Sequence, residues 1–203
     1  MPERTYSVLF LSQRGSARGI MAAALLNQIG RGRFHAVSAG VRPAAAYDPM
    51  ALELLEHAHV ALPKGTPQHF SAFSSEGASP LDFVFTLSDT AAGEPTPAWP
   101  GQPVTGHWSS ADPEKSQYDE GARRRSLIAT RSQLERRLRV FVNLPFESLD
   151  RLSLQKQVDG IGAAEGDKEP DPSGTEAPRQ PGNEPRRPLP PHAPNGTTPP
   201  PPD

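Results

Sequence analysis

A buried strand that runs through a seven-residue polar loop into a helix is the feature that most constrains this chain. Tyr6–Leu11 is an apolar, β-prone run, Ser12–Arg18 is the loop, and a helical pattern begins at Gly19. The amides of such a loop and the helix N-terminus favour an anion, and an arginine can donate hydrogen bonds to two of its oxygens. We therefore predict an oxyanion site, with the candidate residues Ser12, Gln13, Arg14, Gly15, Ser16, Ala17 and Arg18. An ordinary strand–helix connection of a doubly wound fold is the alternative interpretation.

Apolar runs and helical patterns alternate along the first 145 residues. Four runs are typical of buried strands: Tyr6–Leu11, Phe34–Ser38, Asp82–Leu87 and Pro103–His107. Helical patterns lie between or after them at Gly19–Ile29, Pro49–His57, Gln68–Phe73 and Asp119–Val142. Strands that alternate with helices predict an α/β fold, with a parallel sheet covered by helices on both faces.

Local signals mark the ends of several predicted helices. Asp48 is a good N-cap and Pro49 suits the first helical position, so a helix is expected to begin there. Gly30 is expected to end the first helix. Pro145 interrupts the long helix, and the amphipathic stretch Phe146–Val158 predicts a last helix that docks on the domain.

Proline is unevenly distributed along the chain. Thirteen of the 25 prolines lie between Pro170 and Pro202, and Leu189 is the one large aliphatic residue after Ile161. Such a segment cannot bury enough apolar surface to offset its ordering entropy, so 161–203 is predicted to be a disordered, proline-rich tail. The predicted organisation is a domain at 1–145, a helical extension packed on it at 146–160, and the tail. The tail could bind an aromatic-lined groove of a protein partner, and a solvated tail without a specific partner is the alternative.

Charge and composition exclude several classes of function. The tail holds seven acidic and four basic residues, so the first 160 residues have a net charge of about +1, which argues against nucleic-acid binding. The arginine runs 123–125 and 136–137 are interpreted as a solvated helix face. No segment has the length of a membrane span and no signal-peptide pattern is found, so a cytoplasmic protein is expected. The absence of cysteine excludes disulfides, zinc–thiolate sites and thiol redox chemistry.

Four motifs, in order along the chain, carry a resemblance to a known family. The spacing of Ser12–Arg18 is that of a C-x5-R phosphatase loop with serine in place of cysteine. A Ser-Ala-Gly turn follows at 38–40, and a third strand that ends in Ser-Asp follows at 83–89. The last motif is a loop with His-Trp at 106–108 and Asp-Pro at 112–113. Over about residues 5–145 the chain resembles the low-molecular-weight protein-tyrosine phosphatase superfamily. It is most similar to the arsenate reductases of that fold, whose loop reads C-T-G-N-S-C/A-R-S.

The resemblance implies both a fold and a set of site residues. The fold is a four-stranded parallel sheet flanked by helices in a three-layer sandwich, with the anion loop at the carboxyl end of the first strand. Ser12 takes the position of the nucleophile and Arg18 that of the oxyanion-binding arginine. Asp112 takes the position of the aspartate that protonates the leaving oxygen. No metal and no cofactor are expected.

The departures from the family pattern concern thiol chemistry. Ser12 replaces the cysteine, and Ser88 stands where many arsenate reductases have a further cysteine. Gly19 replaces a serine or threonine that would stabilise a thiolate. Gly15 replaces an asparagine, and glycine can adopt the same positive-φ conformation. Engineered replacement of two cysteines would account for the serines but would not require the glycines.

These residues predict a protein that holds an oxyanion without capturing it covalently. A serine hydroxyl is a weak acid that needs an adjacent base, and arsenate reduction in this fold needs two electrons from thiols. The predicted ligand is phosphate, arsenate or a phosphorylated side chain. One alternative is a slow phosphatase that uses Ser12 with Asp112, and His107 is interpreted as a structural histidine. The other alternative is an interaction scaffold that acts through the proline-rich tail.

Overall fold

The computed structural model describes residues 4–96, 98–113 and 119–164. Five strands and five helices follow one another in these ranges: β1 Tyr6–Ser12, α1 Arg18–Ile29, β2 Phe34–Gly40, α2 Pro49–His57, β3 Gln68–His69, β4 Phe83–Thr86, α3 Asp89–Ala92, β5 Val104–His107, α4 Glu120–Val142 and α5 Arg151–Ala163. A 3-10 turn, Phe70–Phe73, follows β3. The predicted start of the tail at residue 161 was wrong, because residues 161–163 belong to α5 and Ile161 is buried in the core. From residue 165 onward, the predicted tail lies outside the described residues.

The strands form one parallel sheet in the order β3-β2-β1-β4-β5. The expectation of four strands was wrong, because Gln68 and His69 pair with Ala39 and Gly40 as an additional edge strand. The expectation of a helix at Gln68–Phe73 was also wrong for Gln68 and His69, which form this strand. A two-residue, exposed strand has no hydrophobic alternation by which a sequence pattern could identify it.

Both faces of the sheet are buried, which explains why β1 is apolar along most of its length. Val8 and Phe10 belong to the larger core cluster, which includes side chains from α1, α2, α4 and α5. Leu9 and Leu11 point to the opposite face. There they pack in a smaller cluster with Phe70, Val84 and Ala91, and with the partly buried Trp99. The sheet is therefore the middle layer, and β1 lies at its centre.

The last helix docks on β5 through close contacts. A Cβ on Gly106 would lie 2.6 Å from Val158 Cγ1, and the indole Nε1 of Trp108 donates to the Val158 carbonyl at 3.1 Å. The helix begins at Arg151 rather than at the predicted Phe146. Asp150 is its N-cap and accepts from the Ser153 amide, whereas the Phe146 ring packs on Tyr6 at 5.0 Å between centroids.

The arginines of α4 do not form a uniformly solvated face. Arg137 is buried, and it donates to the carbonyls of Ser109 and Gly162 at 2.8 and 3.1 Å. Arg124 forms a two-pronged ion pair with Glu53 of α2. Among the helices of the described ranges, none is long and apolar enough to cross a membrane.

Candidate functional site

The loop from residue 12 to residue 18, named here the β1–α1 loop, lies at the carboxyl end of the central strand. From β1 the chain first forms β2 on one side and later forms β4 on the other. The carboxyl end of β1 is therefore the point at which the strand order reverses, where open α/β sheets bind their ligands. The choice of this loop as the site, made from the sequence, stays a prediction.

The carbonyls of the β1–α1 loop are held from outside by the segment 41–48. Its amides donate to four successive or nearby loop carbonyls at 2.8 to 3.0 Å: Val41 to Ser12, Arg42 to Gln13, Ala44 to Arg14 and Asp48 to Ser16. The C=O and N–H of a trans peptide point in opposite directions. The amides of residues 13, 14, 15 and 17 are therefore directed away from the segment 41–48. This arrangement orients amide donors as an oxyanion cradle requires.

Two glycines allow the β1–α1 loop to lie against the end of β2. Gly15 has a φ of +63°, and a Cβ there would lie 2.9 Å from the Gly40 nitrogen. A Cβ on Gly40 would lie 2.8 Å from the carbonyl carbon of Arg14. Glycine at position 15 thus provides the positive φ that the sequence analysis attributed to it.

The Ser12 side chain is buried and contacts the backbone of its own loop. Its Oγ accepts a hydrogen bond from the Gly15 amide at 3.1 Å. A Cβ on Gly19, in the first turn of α1, would lie 3.4 Å from that oxygen. The first side chain of the loop therefore faces both a loop amide and the start of a helix.

The structure brings Arg18 and Asp112 together, although they lie 94 positions apart. Arg18 is 7 % exposed, and its Nη1 donates to the Ser110 carbonyl at 2.9 Å and more weakly to Leu87 at 3.4 Å. Its Nη2 lies 3.4 Å from Oδ1 of Asp112, whose side chain is 36 % exposed. The carbonyls fix the direction of the guanidinium, and the carboxylate stands beside it at the site.

Ser88 and His107 have local structural contacts. The Ser88 Oγ accepts from the Ala91 amide at 3.2 Å, which makes it the N-cap of α3. His107 Nδ1 lies 2.8 Å from the Thr86 hydroxyl, and its Nε2 lies 3.0 Å from Asp89 Oδ1. These contacts connect the ends of β4 and β5, and they agree with the structural interpretation of His107.

Asp48 and Arg123 form an ion pair behind the β1–α1 loop that sequence reasoning missed. Asp48 was recognised only as the cap of α2, which it is: its Oδ1 accepts from Met50 and Ala51 at 2.9 and 3.0 Å. Arg123 was taken for a solvated arginine. The buried Asp48 carboxylate also contacts the Arg123 guanidinium. No local sequence signal connects two residues that lie 75 positions apart.

Two ionisable groups near this pair have shifted pKa values. The hydrogen bonds and charge of Arg124 lower the pKa of Glu53 below its ordinary value. Burial raises the pKa of the Tyr47 phenol, which adjoins Asp48 in the chain. Both side chains keep their ordinary neutral-pH forms, a carboxylate at Glu53 and a neutral phenol at Tyr47.

The fold and the loop define a class: a parallel α/β protein whose strand–loop–helix unit lies at the switch point, with loop amides directed away from segment 41–48 and an arginine at the end of the loop. A family model described as Low molecular weight phosphotyrosine protein phosphatase matches residues 7–157. The chain belongs to this family, as its motifs indicated. A comparison with curated protein sequences finds no match.

Solved structures of similar fold include both reductases and phosphatases. An arsenate reductase from Archaeoglobus fulgidus is 27 % identical, with a TM-score of 0.52 over 68 % of this chain and 99 % of that one. The tyrosine phosphatase AmsI of Erwinia amylovora is 21 % identical, with a TM-score of 0.53 over 68 % and 92 %. Vibrio vulnificus Wzb, in complex with benzylphosphonate, is 13 % identical, with a TM-score of 0.53 over 68 % and 97 %.

Proposed function

We propose that this protein is a pseudophosphatase that binds an oxyanion in the β1–α1 loop and does not turn it over. The ligand is phosphate, arsenate or a phosphorylated side chain. The observation that carries the proposal is the outward anchoring of the loop carbonyls by segment 41–48 around a serine instead of a cysteine. The cytoplasmic location and a partner for the tail stay predictions.

Binding is supported by the hydrogen-bond donors of the loop and of the helix that follows it. Its directed amides, the N-terminus of α1 and the guanidinium of Arg18 supply partial and full positive charge on one side of the loop. A further solved structure of this fold, 19 % identical with a TM-score of 0.53, is an arsenate reductase in the phosphate binding state. The Gly15 amide, one of these donors, also donates to the Ser12 Oγ at 3.1 Å.

Inactivity is supported by the surroundings of Ser12. A serine nucleophile needs an adjacent base, because its hydroxyl is a far weaker acid than a thiol. The Ser12 Oγ contacts a backbone amide, which is a donor and cannot accept its proton. His107 is held by Thr86 and Asp89. The chain has no cysteine that could supply the electrons for arsenate reduction, so that reaction would need a thiol from a partner.

A second candidate function is a slow phosphatase that uses Ser12 as nucleophile and Asp112 as acid. The position of Asp112, half-exposed beside Arg18, favours it. Hydrolysis of an aryl phosphate that falls in Ser12→Ala would support this candidate, and equal hydrolysis in both proteins would reject it. The scaffold alternative depends on a tail outside the described residues, and it predicts that partners captured by the full chain are lost on truncation after residue 164.

Titration calorimetry with inorganic phosphate and with arsenate tests the proposed binding. The wild type should bind one anion per chain, and Arg18→Ala should bind at least about tenfold more weakly, because it loses charge-assisted hydrogen bonds. Arg139→Ala is the matched control, since Arg139 is exposed and pairs with Glu135 on the far part of α4. The absence of binding to the wild type would reject the proposal.

A further inference from the structure

Asp48, whose carboxylate is completely buried, connects three elements through its side chain and its backbone amide. Its Oδ1 caps α2, and the amide of the same residue donates to the Ser16 carbonyl of the β1–α1 loop at 3.0 Å. Its Oδ2 contacts Arg123 of α4. A displacement of Asp48 would therefore be transmitted directly to the loop backbone.

Among the residues that the structure describes, Arg123 is the cation that pairs with this buried carboxylate. Removing a charge from water is costly unless a counter-charge and hydrogen bonds compensate for it. The two amides of α2 satisfy Oδ1, and the Arg123 guanidinium, whose side chain is 33 % exposed, neutralises Oδ2. Without Arg123, the negative charge of Asp48 would be buried without a counter-charge in a residue that is hydrogen-bonded to the loop.

We propose that Arg123 is a positioning residue for oxyanion binding. It neutralises Asp48 and thereby allows the segment 41–48 to hold the β1–α1 loop in its anion-binding shape. This inference rests on the proposed function. It means that the contacts between the loop, Asp48 and α4 help to set the affinity for the anion. The electrostatic reason is that an uncompensated Asp48 carboxylate repels an anion in the loop, in surroundings where water screens poorly.

The neighbouring arginine provides a matched control. Arg124 also connects α4 to α2, through Glu53 at 2.9 and 3.1 Å, but Glu53 is partly exposed and is not among the residues that bond the loop. Arg123→Gln and Arg124→Gln remove the same charge from adjacent positions of one helix. A difference between them isolates the contact with Asp48 from the general loss of one positive charge.

Phosphate titration of the wild type, the two single variants and one double variant tests the inference. Arg123→Gln should bind inorganic phosphate about tenfold more weakly than the wild type, and Arg124→Gln within about twofold of it. The double variant Asp48→Asn/Arg123→Gln should recover most of the affinity, since asparagine can still cap α2 without a charge. Equal affinities for the two single variants, or a double variant as weak as Arg123→Gln, would overturn the inference.

A second measurement separates this inference from the proposed function. Hydrogen exchange of the amides of residues 13–17 needs no anion, and it should accelerate in Arg123→Gln but not in Arg124→Gln. If the wild type binds no phosphate, the proposed function fails on its own, and equal exchange in the two variants would overturn the positioning role. Should Arg123→Gln not fold, Arg123→Lys retains the charge without the planar fork. Because lysine still neutralises Asp48, Arg123→Lys should bind phosphate within about twofold of the wild type, and a loss as large as that expected of Arg123→Gln would contradict the inference.

Discussion

Gly15 and Gly40 lie so close together that a side chain on either would collide with the backbone of the other turn. A Cβ on Gly15 would meet the Gly40 nitrogen at 2.9 Å, and one on Gly40 would meet the carbonyl group of Arg14 at 2.8 to 2.9 Å. The shape of the loop therefore depends on its backbone contacts with the end of β2 as well as on its own sequence. Substitutions on β2 should therefore change the site.

Gly40→Ala should distort the β1–α1 loop. The methyl group has only backbone to displace, so we expect a loss of about 1–3 kcal/mol of unfolding free energy and weaker phosphate binding. Gly160→Ala is the control, because no atom lies within 4 Å of a Cβ at that helical position. It should be neutral or slightly stabilising. Urea unfolding and phosphate titration of both variants measure the two effects, and unchanged affinity in Gly40→Ala would contradict the account.

A hydroxyl at position 19 should matter only when a thiol occupies position 12. A Cβ at Gly19 would lie 3.4 Å from the Ser12 Oγ and 3.1 Å from the Ser38 Cβ, so a serine fits if Ser38 shifts slightly. In the Ser12→Cys background, Gly19→Ser should lower the pKa of the new thiol, because it adds a donor to the thiolate. The rate of alkylation as a function of pH reports that pKa. Gly160→Ser in the same background is the control, and identical profiles would refute the prediction.

The Arg124–Glu53 pair should make stability depend on pH in acid. The pKa of Glu53 is depressed in the folded protein, so the stabilisation is present above its unfolded value, about 4.3, and is lost as pH falls through the folded pKa. The stability difference between wild type and Arg124→Gln should therefore be largest at neutral pH and shrink toward pH 3. Urea midpoints at several pH values provide the comparison. A difference independent of pH would show that the pair does not act through this carboxylate.

The contact between β5 and α5 should tolerate no side chain at Gly106. A Cβ there would lie 2.6 Å from Val158 and 3.0 Å from the Phe85 ring. Gly106→Ala should reduce the unfolding free energy by about 1–3 kcal/mol through overpacking. The exposed neighbour Thr105→Ala should change it by at most about 0.5 kcal/mol. Equal unfolding midpoints for the two variants would mean that α5 does not dock as described.

The sequence predicted best those elements that local signals define. The helix α2 begins and ends where expected, at Pro49 and His57, because Asp48 and Pro49 fix its first turn. The buried strand β1 was recognised as a continuous apolar run. The start of α5 was misplaced because Phe146 reads as helical although its ring belongs to an aromatic cluster. Strand β3 exists only through its pairing with β2.

The candidate site was predicted in part for the same reason. The β1–α1 loop is contiguous and so could be identified from its spacing, whereas the position of Asp112 beside Arg18 followed only from the family resemblance. The pairing of Asp48 with Arg123 joins α2 to α4 and depends on how the helices pack. Local pattern carries no information on such a contact. The anchoring of the loop carbonyls by the segment 41–48 was likewise not predicted from the sequence.

Hydrolysis of an aryl phosphate by wild type, Ser12→Cys and Ser12→Ala tests the central claim most directly: that the site binds an oxyanion but does not capture it. The account predicts no turnover above buffer for the wild type and Ser12→Ala. It predicts measurable turnover for Ser12→Cys, inhibited competitively by inorganic phosphate. Turnover by the wild type that disappears in Ser12→Ala would contradict the account and establish Ser12 as a working nucleophile.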